Sequence, residues 1–260
     1  MSEITLAVII PALNEEENIK DAVLDTVSAM DKYNVKGEVT VVNDGSTDRT
    51  REIVENLMKE FPLLKLINHD VPQGIGASFF EGAKKTDKEI VVMFPGDNET
   101  RPEDSLAFFS TIKEVDIIVP FFVNINLKTK IREFISSLYR TIINISFGVS
   151  LNYTNGTVLY RRCILEGIEL RSKGFFYQAE LLVKLIRKGY LYAEIPSFLY
   201  LRHGGKSKAV NVKALLEVMK NYSRLLFDIF IRRIGSKDNH KRLNPESVSF
   251  QKYLRYEKTN

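Results

Sequence analysis

Val8-Ile-Ile-Pro-Ala-Leu-Asn-Glu-Glu-Glu-Asn18 begins as an apolar run and breaks at Pro11 into a polar loop with an acidic helix start behind it. The same transition recurs in Val41-Val-Asn-Asp-Gly-Ser-Thr-Asp48 and in Val91-Val-Met-Phe-Pro-Gly-Asp-Asn-Glu-Thr-Arg-Pro-Glu103. Short runs that are apolar nearly throughout are expected of parallel strands covered on both faces. Working outward, strand-like runs at 4–10, 38–42, 63–67, 89–93 and 116–119 alternate with helical patterns over 15–30, 47–60, 76–86 and 102–113. Thr47 and Asp48 offer the second of these helices a cap. The alternation predicts an open α/β sheet, mostly parallel, with helices on both faces.

Beyond residue 120 the spacing predicts a long helix over 128–147, a strand over 156–160, a helix over 176–188 ended by Gly189, and a strand over 190–195. Residues 210–234 repeat apolar side chains at spacings of three and four, the pattern of an amphipathic helix. Asp228 interrupts its apolar run, which forbids spanning a bilayer but allows the helix to lie flat. Residues 235–260 are polar and are expected to be poorly ordered. The predicted organisation is a body over 1–209, an amphipathic helix over 210–234 and a polar basic tail over 235–260.

A chain of 260 residues with 44% hydrophobic and 27% charged residues can build a sizeable core, which excludes wholesale disorder and collagen. The single cysteine, Cys163, excludes an intrachain disulfide and fits a reducing cytosol. The acidic start lacks the basic region of a signal peptide. The longest uncharged stretch, 141–160, is too polar to cross a bilayer. Charge is uneven: residues 1–209 hold 26 Lys and Arg against 28 Asp and Glu, and residues 210–260 hold 11 against 5. The basic end suits an anionic surface, lipid or nucleic acid, or is a solvated tail.

Chemistry concentrates where strands end, the place at which open α/β sheets bind ligands. Asp44 either accepts hydrogen bonds from a base or ribose or serves as turn chemistry. Asp97 and Glu99, two residues apart, suit a hard divalent cation bridging a diphosphate, or are exposed acids before a helix. Arg202-His-Gly-Gly-Lys-Ser-Lys208 has glycines for movement and lysines for leaving-group charge, or is a simple basic loop. Arg132 and Ser136 share a helix face and reach one phosphate together, or are ordinary surface residues. Glu180 is a base for an alcohol acceptor, or a helix acid paired with Lys184. Gly74-Ile-Gly76 fails as a dinucleotide fingerprint because its third glycine falls on Phe79. Three scattered histidines and one cysteine give no zinc site.

As a set, these stretches resemble the inverting glycosyltransferases of family 2, with the GT-A fold. The residues that carry the resemblance are Ile-Pro-Ala-Leu-Asn-Glu (10–15), Asn-Asp-Gly-Ser-Thr-Asp (43–48), Gly-Ile-Gly-Ala (74–77) and Gly-Asp-Asn-Glu (96–99). A narrower resemblance, to the dolichyl- and polyprenyl-phosphate sugar synthases, rests on Arg202–Lys208 and on Gly174-Phe-Phe-Tyr-Gln-Ala-Glu-Leu-Leu182. It covers residues 4–210.

The resemblance implies a nucleoside pocket lined by Pro11, Leu13, Glu15 and Gly76, with Asp44 on the base or ribose. It implies that Asp97 is the metal-binding acid of an Asp-x-Asp motif, with Mg2+ or Mn2+ as cofactor. The first Asp of that motif falls on Pro95, and Glu99 restores the lost charge. Arg202, Ser207 and Lys208 would close over the diphosphate, Arg132 and Ser136 would meet a lipid phosphate, and Glu180 would stand near the acceptor. The implied hexosyltransferase moves sugar from a UDP- or GDP-sugar to a polyprenyl or dolichyl phosphate, peripheral on the cytoplasmic membrane face, in cell-envelope glycan synthesis. The implied surface partner is an anionic membrane rather than nucleic acid, with a homodimer as the other use of the amphipathic helix. The alternatives are an acceptor hydroxyl on a polysaccharide or glycolipid, and a nucleotide-sugar-binding protein impaired in catalysis by Pro95.

Overall fold

The computed structural model describes residues 4–124, 130–174, 176–198, 200, 212–232 and 243–259, with backbone alone at 131–132 and 212–215. Its centre is a seven-stranded sheet of β1 (Leu6–Ala12), β2 (Gly37–Asp44), β3 (Leu64–His69), β4 (Ile90–Met93), β5 (Ile117–Phe122), β6 (Leu159–Arg161) and β7 (Tyr192–Ser197). The order is β3-β2-β1-β4-β6-β5-β7. β6 runs antiparallel to both neighbours, and the other pairings are parallel. Along β1, Leu6, Val8 and Ile10 join the core on one face and Ala7 and Ile9 the core on the other. That is why the run is apolar at every position.

The helices are α1 (Ile19–Lys32), α2 (Thr50–Glu60), α3 (Ile75–Lys84), α4 (Pro102–Leu106), α5 (Lys130–Phe147), α6 (Tyr177–Lys188), α7 (Val212–Leu226) and α8 (Val248–Thr259). α2 starts later than its pattern suggests, but Asp48 still serves its first turn, accepting from the Thr50 amide at 2.9 Å and hydroxyl at 2.6 Å. The pattern over 102–113 divides into α4 and a 3-10 turn, Phe109–Lys113.

At the C-terminal end the expected amphipathic helix is present, and the expectation of a poorly ordered tail needs correction. α7 stops at Leu226, and a π-helical turn, Phe227–Ile231, follows. Asp228 there is buried, with Arg171 at 2.9 Å, Lys184 at 3.4 Å and Arg232 at 3.3 Å. The break in the apolar run is therefore the point that fastens this segment to the body. Within the polar tail, α8 is ordered. The fully buried Asp116 accepts from the amides of Val248 and Ser249 at 2.8 and 3.0 Å, which satisfies the first turn of the helix.

Candidate active site

β1 lies between β2 and β4, so the chain turns one way after β1 and returns on its other side. Such a switch point opens a crevice at the carboxyl ends of the strands. Three loops meet there, and hydrogen bonds fix them to one another. Asn14, with φ of 56°, donates its amide to Ser46 Oγ at 3.0 Å and accepts from the Thr47 amide at 2.8 Å. The Glu15 amide donates to Thr50 Oγ1 at 2.9 Å. The Gly96 amide donates to the Pro11 carbonyl at 3.2 Å, and a Cβ on Gly96 would stand 2.9 Å from that oxygen. Only glycine lets the β4 loop come this close to β1.

The contact brings Asp97 to the end of β1. Asp97 accepts the Glu99 amide at 3.2 Å around Asn98, whose φ is 55°. Pro11, Leu13, Glu15, Asp97 and Glu99 are all half-buried, as residues lining a crevice should be. Among the described residues no group of three His, Cys, Asp or Glu side chains is arranged to hold a metal ion by itself. The oxygen donors of Asp97 and Glu99 have the chemistry that a hard divalent ion requires, and these are the residues that would hold one.

Asp44 is buried, and its carboxylate is already engaged. It accepts the amides of Gln73 and Gly74 at 2.8 Å each and faces His69 Nδ1 at 2.6 Å. Burial raises its pKa, but the two amides and His69 more than offset this and hold it below the ordinary carboxylate value. Asp44 thus secures the turn before α3 and touches any nucleoside only with what capacity remains. Gly76 is engaged as well. Its amide donates to the Lys173 carbonyl at 2.9 Å, and a Cβ there would stand 2.8 Å from the Tyr177 Cβ. Its glycine serves helix packing, and its amide is not free for a donor.

Ser136 lines a cleft of about 120 Å3 with Phe122, Glu133, Tyr139, Arg140, Tyr153 and Asn155. The side chain of Arg132 lies outside the described residues. The cation in the cleft is Arg140, which donates to the Asn152 carbonyl at 3.2 Å and Ser137 Oγ at 3.3 Å. Nothing in the sequence pattern sets Arg140 apart. Burial first, and then the Glu99 carboxylate, push the Tyr153 hydroxyl up to about 12.

Glu180 is not poised as a base. It is buried, with Lys184 at 2.6 Å and the amides of Arg171 and Ser172 at 3.1 and 3.0 Å. The paired-acid alternative describes its surroundings. Arg202, Ser207 and Lys208 lie outside the described residues. The chain leading to them is tied down at Tyr200, whose amide donates to the Glu99 carbonyl at 3.4 Å and whose ring lies 4.1 Å from the Arg101 guanidinium.

The fold resembles glucosyl-3-phosphoglycerate synthase from Mycobacterium tuberculosis in complex with phosphoglyceric acid, with a TM-score of 0.65 and 19% identity over 91% of this chain and 82% of that one. The same enzyme solved with Mg2+ and UDP gives 0.63 and 18%, over 91% and 82%. Among curated proteins, a dolichol-phosphate mannosyltransferase of Pyrococcus furiosus is 28% identical over 235 residues, 85% of this chain and 63% of that protein. A dolichyl-phosphate beta-glucosyltransferase of Trichomonas vaginalis is 31% identical over 119 residues, 44% of this chain. The chain spans 63% and 37% of the lengths of these two relatives. Residues 7–168, more than half of the chain and all three strand-end loops, match the model of glycosyl transferase family 2, and the chain belongs to that family.

Proposed function

We propose that this chain transfers a sugar, with inversion, from a nucleotide diphosphate sugar to a polyprenyl or dolichyl phosphate. The observation that carries the reading is the meeting of the three acid-bearing loops at the switch point, drawn together where Gly96 rests on Pro11. The nucleoside lies along the ends of β1 and β2, against Pro11, Leu13 and Glu15, and the diphosphate points to Asp97 and Glu99. Asp97 and Glu99 would hold a Mg2+ or Mn2+, which would supply positive charge to the departing diphosphate. Arg202, Ser207 and Lys208 follow Tyr200, which is bonded to the Glu99 carbonyl, and are the groups assigned to the same diphosphate. The acceptor oxygen attacks the anomeric carbon in line. The bond to the diphosphate breaks on the opposite face, and its electron pair leaves on the diphosphate oxygen.

The surroundings of Glu180 support a phosphate acceptor. An alcohol needs a base to take its proton, whereas a phosphate monoester arrives as an anion. The cleft beside Tyr153 offers such an anion Arg140, Ser136 and Ser137, with the Glu133 carboxylate also on its lining. The names of the two curated relatives point to the same acceptor class.

Residues 1–209 form the catalytic unit in this reading, which works at the cytoplasmic face of a membrane. No helix among the described residues is long and apolar enough to cross one. α5 exposes Phe134, Ile135, Leu138, Ile142 and Ile145, and Met219, Phe230 and Ile231 are exposed on α7 and the turn after it. These faces suit peripheral binding at a lipid interface. The test is incubation with radiolabelled UDP- and GDP-sugars and a membrane lipid extract. Lipid-extractable label supports the proposal. Label in a saccharide pool favours a hydroxyl acceptor, and nucleotide binding without turnover marks a chain impaired by Pro95.

A further inference from the structure

His69 ends β3 with its side chain almost fully withdrawn from solvent, at 4% exposure. Both ring nitrogens face carboxylates: Nδ1 is 2.6 Å from Asp44 Oδ1 on β2, and Nε2 is 2.7 Å from Glu81 Oε2 on α3. Glu81 is itself paired with Lys85 at 2.7 Å. Among the described residues these are the charged groups that face the ring. A neutral imidazole donates from one nitrogen only, so two acceptors at this range call for the doubly protonated ring. The bridge crosses from strand to helix and ends on the carboxylate that holds the Gln73 and Gly74 amides. That turn leads into α3 beside the crevice.

We propose that His69 is a positioning residue for the nucleotide donor: by bridging Asp44 to Glu81 it holds the Gln73–Gly74 turn against the end of β2. The proposal rests on the donor-site reading given above. Burial lowers the His69 pKa, and the bonds to Asp44 and Glu81 outweigh it, so the ring keeps its proton above the ordinary histidine value. Loss of that proton removes one of the two hydrogen bonds and leaves two carboxylates around a neutral ring. The clamp therefore loosens as pH rises.

Two measurements on the full chain test this. The first is amide hydrogen exchange at Gln73 and Gly74 without nucleotide, for the wild type, His69→Gln and Glu81→Gln. The second is calorimetric affinity for UDP and GDP from about pH 6 to about pH 9, a window that brackets histidine titration. In the wild type, protection and affinity should fall together towards high pH. His69→Gln should lose the protection and bind nucleotide about tenfold more weakly at the acid end, with little further pH dependence, as expected for one charged hydrogen bond removed from a supporting position. Glu81→Gln should keep the clamp at low pH and lose it at lower pH than the wild type. A folded His69→Gln with wild-type protection at Gln73 and Gly74 overturns the proposal whatever its affinity. Loss of protection with unchanged affinity overturns the link to the donor. Absence of nucleotide binding in the wild type, with the clamp intact by exchange, overturns the donor-site reading itself and with it the role given to His69.

Discussion

The Lys184 ammonium stands 2.6 Å from the Glu180 carboxylate, and the two side chains are only 2% and 3% exposed. Removing one partner of a buried pair costs about 3–5 kcal/mol where it leaves a charge uncompensated, and Lys184 keeps Asp228 at 3.4 Å, so the lower end of that range applies. Glu180→Ala should therefore destabilise the chain by about 3 kcal/mol in urea unfolding. The double variant Glu180→Leu with Lys184→Met should recover part of the loss, because the Arg171 and Ser172 amides stay without their acceptor, and should keep activity. A folded double variant with no activity would return Glu180 to the chemistry.

Asp97→Asn acts in the opposite way. A half-buried loop carboxylate contributes little to the core, so the thermal midpoint should stay where it is. If the acid holds an ion worth several kcal/mol to the departing diphosphate, activity should fall by about 100-fold or more. Steady-state assay with titrated Mn2+ checks this, and full activity in the presence of a chelator would sink the metal assignment. Glu99→Gln should give a milder defect partly recovered by excess metal.

The strands and the crevice could be read from the sequence because both are local. Leu6–Ile10 is apolar at each position because both sides of β1 are covered, and the acids follow directly where strands stop. Contacts between distant residues could not be read. The His69 bridge joins positions 25 and 12 residues apart, and neither polar residue stands out from surface chemistry. Asp116 fastens α8 across 132 residues of chain, so a segment that reads as a polar tail is ordered by a partner far from it in sequence. The packing role of Gly76 is hidden for a related reason, since nothing in the sequence sets Tyr177 against it.

The two ends of the Asp44–His69 contact set opposite pH limits on stability. The depressed Asp44 pKa stabilises the fold above its ordinary value of 3.8, and this contribution is lost as pH falls through the folded value. The raised His69 pKa stabilises fully below 6.5, and this contribution is lost as pH rises through the folded value. Urea midpoints should therefore be highest between these two limits. His69→Gln should flatten the alkaline side and leave an acid limb. A wild-type alkaline limb retained in His69→Gln would assign that limb to another group.

The exposed faces of α5 and α7 call for a test that keeps the fold. Cutting the chain before α7 removes Leu225 and Ile229 from the core and strips Lys184 of Asp228, so lost vesicle binding would then report unfolding. Point changes on the outer face avoid this. Ile135, Ile145 and Met219 are 58%, 78% and 58% exposed, and charge at these positions disturbs little inside the protein. If the faces enter a lipid interface, each buries an apolar side chain worth about 1.5–3 kcal/mol, so Ile145→Glu or Met219→Glu should weaken binding to anionic vesicles about tenfold or more. Lys220, Arg224 and Arg232 add about 1 kcal/mol each near anionic lipid, screened by salt, so raised ionic strength should weaken the wild type as well. Co-sedimentation with vesicles, run beside sedimentation velocity without them, separates the two uses of this surface. Vesicle binding that survives both glutamate variants, together with a dimer that those variants dissociate, would make the face a contact between two copies of the chain and not a membrane anchor.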